Sequence, residues 1–356
     1  MEAKKQKNLK KIILTVLFIA FSAGVIIATA VNEFSNNENA AELAEVQLDG
    51  WQVLPAALCF VVMITLEYAK YVLMIVKSCK PNTFSRKEVW KLAFRTVMLG
   101  RYYDKITPAA VGGQPAQILQ MRKTGKISHG MATAIPIFSM ISGQITFLLI
   151  AIPCFLFTDL PSKYPVLIAT AWIGLLFYAF WPVTVAGTMF FPKFTAKVIN
   201  FVVRLLAKLK IIKNRDQTIK KVENEVGEYA RNVKILTKKP LVSGGVLLMS
   251  FLSNVLVSFI PYFVLKAFGG DIDFGECFLI TIGVEAAVYF APTPGNSGVA
   301  EGTFYMIFSQ LSTGYIFWAM MLWRLFSYYI YIIIGPMVHL SMHLEKKRKK
   351  KNDHSK

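Results

Sequence analysis

The sequence holds little of what a soluble enzyme needs. Only four of its 356 residues are cysteine (Cys59, Cys79, Cys154, Cys277), none in C-x-x-C spacing and all in or beside apolar runs. That excludes a disulfide framework and a thiolate metal cage, and leaves four free thiols acting as small hydrophobes. Acidic residues are scarce, 21 against 40 Lys and Arg, and total charge is 17% where a soluble domain carries about a quarter. No G-x-S-x-G elbow, P-loop or dinucleotide fingerprint occurs, so no catalytic residue and no cofactor is assigned. His339 and His343 stand i,i+4 on one helix face, but no Glu lies between them and no third ligand follows, so no metal is assigned either.

What the chain has instead is apolar length. It is 54% hydrophobic with 27 Phe and a mean hydropathy of +0.47, which fits an all-α polytopic membrane protein. About 20 apolar residues carry a helix across the hydrocarbon core. Six runs qualify: 12–31, 51–76, 130–157, 164–191, 241–267 and 315–341. The lysine-rich start before the first run resembles a signal-peptide n-region, yet the run is long and no small-x-small cleavage site follows, so an uncleaved span is expected. The net charge of +19 gathers between the runs, as membrane topology demands, and nucleic acid is not an expected partner. Residues 32–50 hold five acids and no Lys or Arg, whereas 77–126, 193–239 and the end of the chain are basic. The positive-inside rule then places both termini in the cytoplasm, in a bacterial cell membrane, with an even number of crossings. One transmembrane domain is expected over 1–344, with amphipathic interfacial helices at 193–240 and a basic tail at 345–356 that holds to anionic lipid.

Two segments break this pattern. "ITPAAVGGQPAQILQMRKTG" begins at Ile106 among basic residues, and "APTPGNSGVAEG" begins at Ala291 in the last third of the chain. Each is rich in Gly and Pro and too short to cross, and broken backbone at membrane depth needs protein or a water-filled cavity around it. The expectation is about six full spans plus two re-entrant half-helix pairs entering from opposite faces, an inverted repeat, with eight full spans as the alternative.

The breaks also supply candidate ligands. Gly112 and Gly113 let backbone N–H groups converge on an anion, Gln114 and Gln117 add neutral donors, and Pro115 suits a first helical turn. Gly295, Asn296, Ser297 and Gly298 offer the same from the other side, followed by Glu301. Charge within an apolar span is costly and marks a pathway or a pair. Arg324 is the candidate for a lipid phosphate, with Arg122 and Arg101 gathering headgroups at the cytoplasmic entrance. Glu285 and Glu301 are candidate coupling groups, and so are Glu67 and Lys70, which also suit a plain i,i+3 pair. Arg324 bridging to Glu285 or Glu301 is the structural alternative.

Together the two Gly/Pro motifs resemble the transmembrane family of lysylphosphatidylglycerol synthases and flippases, over about residues 51–342. Full-length members carry a further soluble aminoacyl-transferase domain that uses charged tRNA, whereas this sequence passes from its last span into a basic tail. The resemblance therefore implies a flippase for an anionic or aminoacylated phospholipid, with membrane phospholipids as partners. Lysyl transfer to phosphatidylglycerol, with its link to antibiotic and cationic-peptide resistance, would need a separate synthase chain. A carrier of polyprenyl-phosphate-linked lipid or of a small solute is the remaining alternative.

Overall fold

The computed structural model describes residues 48–79, 83–190, 236–311 and 315–354, with isolated positions between 27 and 31 and between 197 and 234. The expected span at 12–31 and most of the expected helices at 193–240 lie outside the described residues. Helix α1 (Gly50–Ser78) starts where the Asp49 carboxylate accepts the Trp51 N–H at 3.0 Å. Helix α2 (Arg86–Ile106) starts at a capping box in which Ser85 and Glu88 satisfy each other's backbone N–H. Then follow α3 (Gly113–Arg122), α4 (His129–Phe157), α5 (Pro165–Phe190), α6 (Pro240–Ala267), α7 (Phe274–Val288) and α8 (Val299–Leu311). The last helix runs as α9 (Ile316–Arg324), a π turn (Leu325–Tyr329) and α10 (Ile330–His354).

Five of these stretches are long and apolar enough to cross a membrane: α1, α4, most of α5, α6 and the α9–α10 run to Glu345. They coincide with five of the six apolar runs. No strand occurs among the described residues, and the molecule is an all-α, multi-pass membrane protein. Trp51, Leu58, Leu149, Leu176 and Leu248 point outward and are more than half exposed. In water such faces would aggregate, but against acyl chains they are the solvated faces.

Two hydrogen bonds, one backbone and one from a lysine side chain, fix the relation of α1 to α6. The Asp49 N–H donates to the Ala267 carbonyl at 2.9 Å, and Lys239 Nζ donates to the Lys77 carbonyl at 2.6 Å, so the helices run antiparallel. The first link marks one side of the molecule, where Tyr315 N–H also reaches the Phe268 carbonyl and Tyr164 bonds Glu276. The second side is basic, with Lys126 on Glu88 at 2.7 Å and Arg95 on Glu345 at 2.8 Å. Helix α2 enters from the basic side, stops at 107–112, and α3 returns to that side. Helix α7 enters from the opposite side, stops at 289–298, and α8 returns there. The order α1–α2–α3–α4 is thus repeated upside down by α6–α7–α8–α9/α10. Both short pairs turn back inside the bundle, as re-entrant hairpins do, and none of their helices is among the five long and apolar enough to cross a membrane. At 15 and 13 residues, α7 and α8 extend only about 22 and 20 Å at the helical rise of 1.5 Å per residue.

Apolar packing forms two clusters with a polar layer between them. On α1 the first cluster takes Ala56, Phe60 and Met63 and the second Tyr71, Met74 and Ile75, leaving Glu67 and Lys70 between. On α6 the same gap falls at Ser250, Ser253 and Asn254, and on α4 at Ser142 and Gln144. Helices α5 and α7 cross at Gly174, where a Cβ would strike the Ala286 carbonyl. A small residue is what lets the re-entrant helix sit that close.

Candidate functional site

The two breaks meet inside the polar layer. Pro108 and Pro294 form an isolated antiparallel bridge, so the hairpin tips touch. Backbone strain concentrates there: Ala109, Ala110 and Asn296 have φ of 52°, 51° and 58°. A left-handed conformation costs a non-glycine residue roughly 1–2 kcal/mol, and three such residues at one junction mark a constrained place. Gly295, at φ 59°, is glycine for a second reason. A Cβ there would meet the Tyr328 ring at 2.5 Å and the Lys105 carbonyl at 3.0 Å.

Beside this seam lies a cavity of about 250 Å³. Its charged lining is Glu67 from α1, Arg101 and Lys105 from α2, Glu285 from α7, and Arg324 from α9. Ser253, Asn254 and Asn296 add neutral polar groups. The aromatic wall is Tyr178 stacked on Tyr289 at 3.7 Å, with Gln144 donating to the Tyr289 hydroxyl at 2.8 Å. Arg101 lies deep in the bundle yet its side chain is 39% exposed, and the cavity is what exposes it.

Most of these charges are already committed. Glu67 accepts from Lys70 at 2.6 Å and from Arg101 at 3.2 Å, and the fully buried Lys70 also reaches Ser250 at 3.0 Å. Arg324 meets Glu301 at 2.6 Å, both almost wholly buried, and its guanidinium lies over the Trp323 ring at 5.0 Å. Glu301 additionally accepts the Gly298 N–H at 2.6 Å at the start of α8. The first break repeats this device. Asp104 accepts the Gly113 N–H at 2.9 Å at the start of α3, while Thr107 takes the Gly112 N–H. A carboxylate at a helix N-terminus is favoured by the free N–H groups and the helix dipole. The protein's own acids therefore fill the anion sites that the glycine pairs offer.

Lys105 and Glu285 are the exceptions. Among the described residues neither has an ion-pair partner within 4 Å. Lys105 lies over the Tyr331 ring at 5.9 Å, and Glu285 accepts one long hydrogen bond from Ser258 at 3.4 Å. Several buried polar atoms nearby also lack a protein partner: Ser253 Oγ, Asn296 Oδ1, Arg324 Nε and Ser327 Oγ. Ser327 sits in the π turn directly after Arg324, and such a turn displaces side chains from regular helical register.

The residues singled out from the sequence fall into three groups. Glu67, Glu285, Gly295, Asn296 and Arg324 line the cavity. Lys70, Glu301, Ser297 and Gly113 stand behind it as partners or packing. Gly112, Gln114, Gln117 and Arg122 lie elsewhere: Gln117 accepts from the Tyr71 hydroxyl at 2.9 Å, and Arg122 donates to Thr133 at 2.9 Å near the basic side. Arg101, expected at the entrance, is in the cavity. Lys105, Ser253, Asn254, Tyr178 and Tyr289 join without having been singled out. The i,i+4 spacing of Arg101 with Lys105, and of Glu285 with Tyr289, was the available signal. Among the described residues no group of three metal-ligating side chains gathers.

The fold and site define a polytopic helical membrane protein whose two re-entrant hairpins meet at a charged internal cavity. The family model described as the lysylphosphatidylglycerol synthase TM region matches residues 12–335, and the chain belongs to that family. Membership fits a lipid-related role in the membrane. No curated protein and no solved structure matches the chain.

Proposed function

We propose that the protein is a lipid translocase that carries the headgroup of an anionic or aminoacylated phospholipid across the bilayer. The observation behind this is the convergence of Arg101, Lys105 and Arg324 on one cavity at the seam of the hairpins. A phosphate cannot cross about 30 Å of hydrocarbon unpaired. Guanidinium and ammonium groups at mid-depth supply charge-assisted hydrogen bonds in place of water. A volume of about 250 Å³ suits a headgroup and leaves the acyl chains to trail in lipid. In this reading the protein sits in a bacterial cell membrane, and the basic side is cytoplasmic, with both termini there.

Lys105 is the cation to test, because it has no ion pair whose loss would strand a carboxylate. A charge-assisted hydrogen bond is worth about 1.5–3 kcal/mol, so Lys105→Ala should slow movement at least roughly tenfold. The assay is leaflet exchange of short-chain fluorescent phosphatidylglycerol in proteoliposomes, read by dithionite quenching. Lys126→Ala, which removes surface contacts to Glu88 and the Phe84 ring far from the cavity lining, is the control. Equal rates for Lys105→Ala and the unmodified protein would remove the cavity from the path.

A further inference from the structure

Lys105 answers a phosphate, but Glu285 answers nothing anionic. It lines the same cavity, on the side of the first apolar cluster, and its one hydrogen bond among the described residues is the long one from Ser258. Glu67 is held by Lys70 and Arg101, and Glu301 by Arg324 and the Gly298 N–H, while Asp104, outside the cavity lining, has the shorter bond from the Gly113 N–H. A carboxylate in such surroundings keeps its charge only against a cation and otherwise takes a proton. The groups facing it are Ser258 on α6, Tyr178 on α5 and Lys105 on α2, with Glu301 on the adjoining α8 spent on Arg324. From α4, the Gln144 amide nitrogen donates to Tyr289, while its oxygen has no protein partner among the described residues.

We propose that Glu285 is the exchange carboxylate of a proton antiporter, binding in turn a proton and the ammonium group of an aminoacylated headgroup whose phosphate rests on Lys105. This rests on the translocase reading above and adds to it a substrate feature and an energy source. When the ammonium enters, the carboxylic O–H breaks, the proton leaves to cavity water, and the ammonium N–H groups donate to the freed oxygens. When the lipid leaves on the far side, a proton from that side takes its place. One positive headgroup charge moves in one direction and one proton in the other. Glu301 cannot serve, because protonating it would strand the buried Arg324.

The test uses lysyl-phosphatidylglycerol in phosphatidylglycerol vesicles holding the purified protein and a trapped pH dye, with the membrane potential clamped. A pH gradient should accelerate lysyl-lipid movement severalfold, and a lipid gradient should move protons. Glu285→Gln should lose both responses. Protonated Glu285 should also react with a hydrophobic carbodiimide, located by mass spectrometry, and added lysyl-lipid should suppress that label. Lipid movement that ignores the pH gradient and carries no protons overturns the coupling but leaves translocation standing. No lipid movement under any gradient overturns both. Gradient dependence surviving in Glu285→Gln, or no label at Glu285, places the carrier elsewhere and overturns the assignment.

Discussion

Removing the Arg324 guanidinium separates structural from transport roles. The pair it forms with Glu301 is 2.6 Å long, with side chains 3% and 2% exposed, and Glu301 also holds the Gly298 N–H. Arg324→Met would therefore leave a buried carboxylate without its cation and free the Asn296 carbonyl that Nη2 now approaches at 3.4 Å. Breaking a buried pair from one side costs about 3–5 kcal/mol, most of it the orphaned charge. Adding Glu301→Gln removes that charge and keeps an oxygen for the Gly298 N–H. The double variant should thus recover about 2 kcal/mol over Arg324→Met alone. Reversible unfolding of the purified protein in mixed micelles measures the difference, and a double-mutant cycle gives the coupling. A double variant no more stable than Arg324→Met would refute the view that the pair clamps the second break. The same geometry warns that lost transport in an Arg324 variant does not by itself assign the phosphate to Arg324.

Further outcomes follow from single positions. Gly174→Val puts side-chain atoms into the Ala286 carbonyl, so it should abolish monodisperse protein on size exclusion. Gly143→Ala, with nothing within 4 Å of the new Cβ, should be neutral or stabilising by up to about 1 kcal/mol. Gly295→Ala must hold φ 59° and displace the Tyr328 ring, and it should depress lipid exchange while the protein still inserts and purifies. The hydrogen bond from Lys126, helped by the Ser85 N–H, pulls the Glu88 carboxyl from the ordinary 4.5 down to about 2. Its folded value is depressed, so the link contributes fully above pH 4.5 and is lost as pH falls through about 2. Carboxyl NMR of Glu88 should show that titration, and Lys126→Ala should move it upward.

The spans and the breaks were legible because each rests on a local signal. Twenty apolar residues announce a crossing, and Pro108, Gly112, Gly113, Pro294 and Gly295 announce an interruption. The Glu67–Lys70 pair was legible for the same reason, three residues apart on one helix. The cavity was harder, because its polar members come from six helices, α1, α2, α5, α6, α7 and α9, and each has an innocent local explanation. Arg101 and Lys105 read as loop-edge positive charge, since α2 begins with Arg86, Lys87 and Lys91 on the basic side. Only the tertiary path, which carries the end of α2 to the seam with Gly295, turns them inward. The glycine pairs misled in an instructive way. One N–H of each break, Gly113 and Gly298, does bind an anion, but those anions are Asp104 and Glu301 of the same chain.

That self-capping bears on how the two halves could move. Each hairpin carries its own acid at the start of its returning helix, so each tip is electrostatically complete without a ligand. Each tip also carries its strain within itself, at Ala109 and Ala110 on one and at Asn296 on the other. Between the tips, by contrast, the described residues show one isolated backbone bridge, Pro108 to Pro294. Self-capped tips that meet at one short bridge favour relative motion at the seam over unwinding within either half. Among the described residues, the cavity charges without an ion-pair partner are Lys105 on one half and Glu285 on the other. In the translocase reading proposed above, a ligand that bridges them would tie the halves together, and its departure would leave them free to rock.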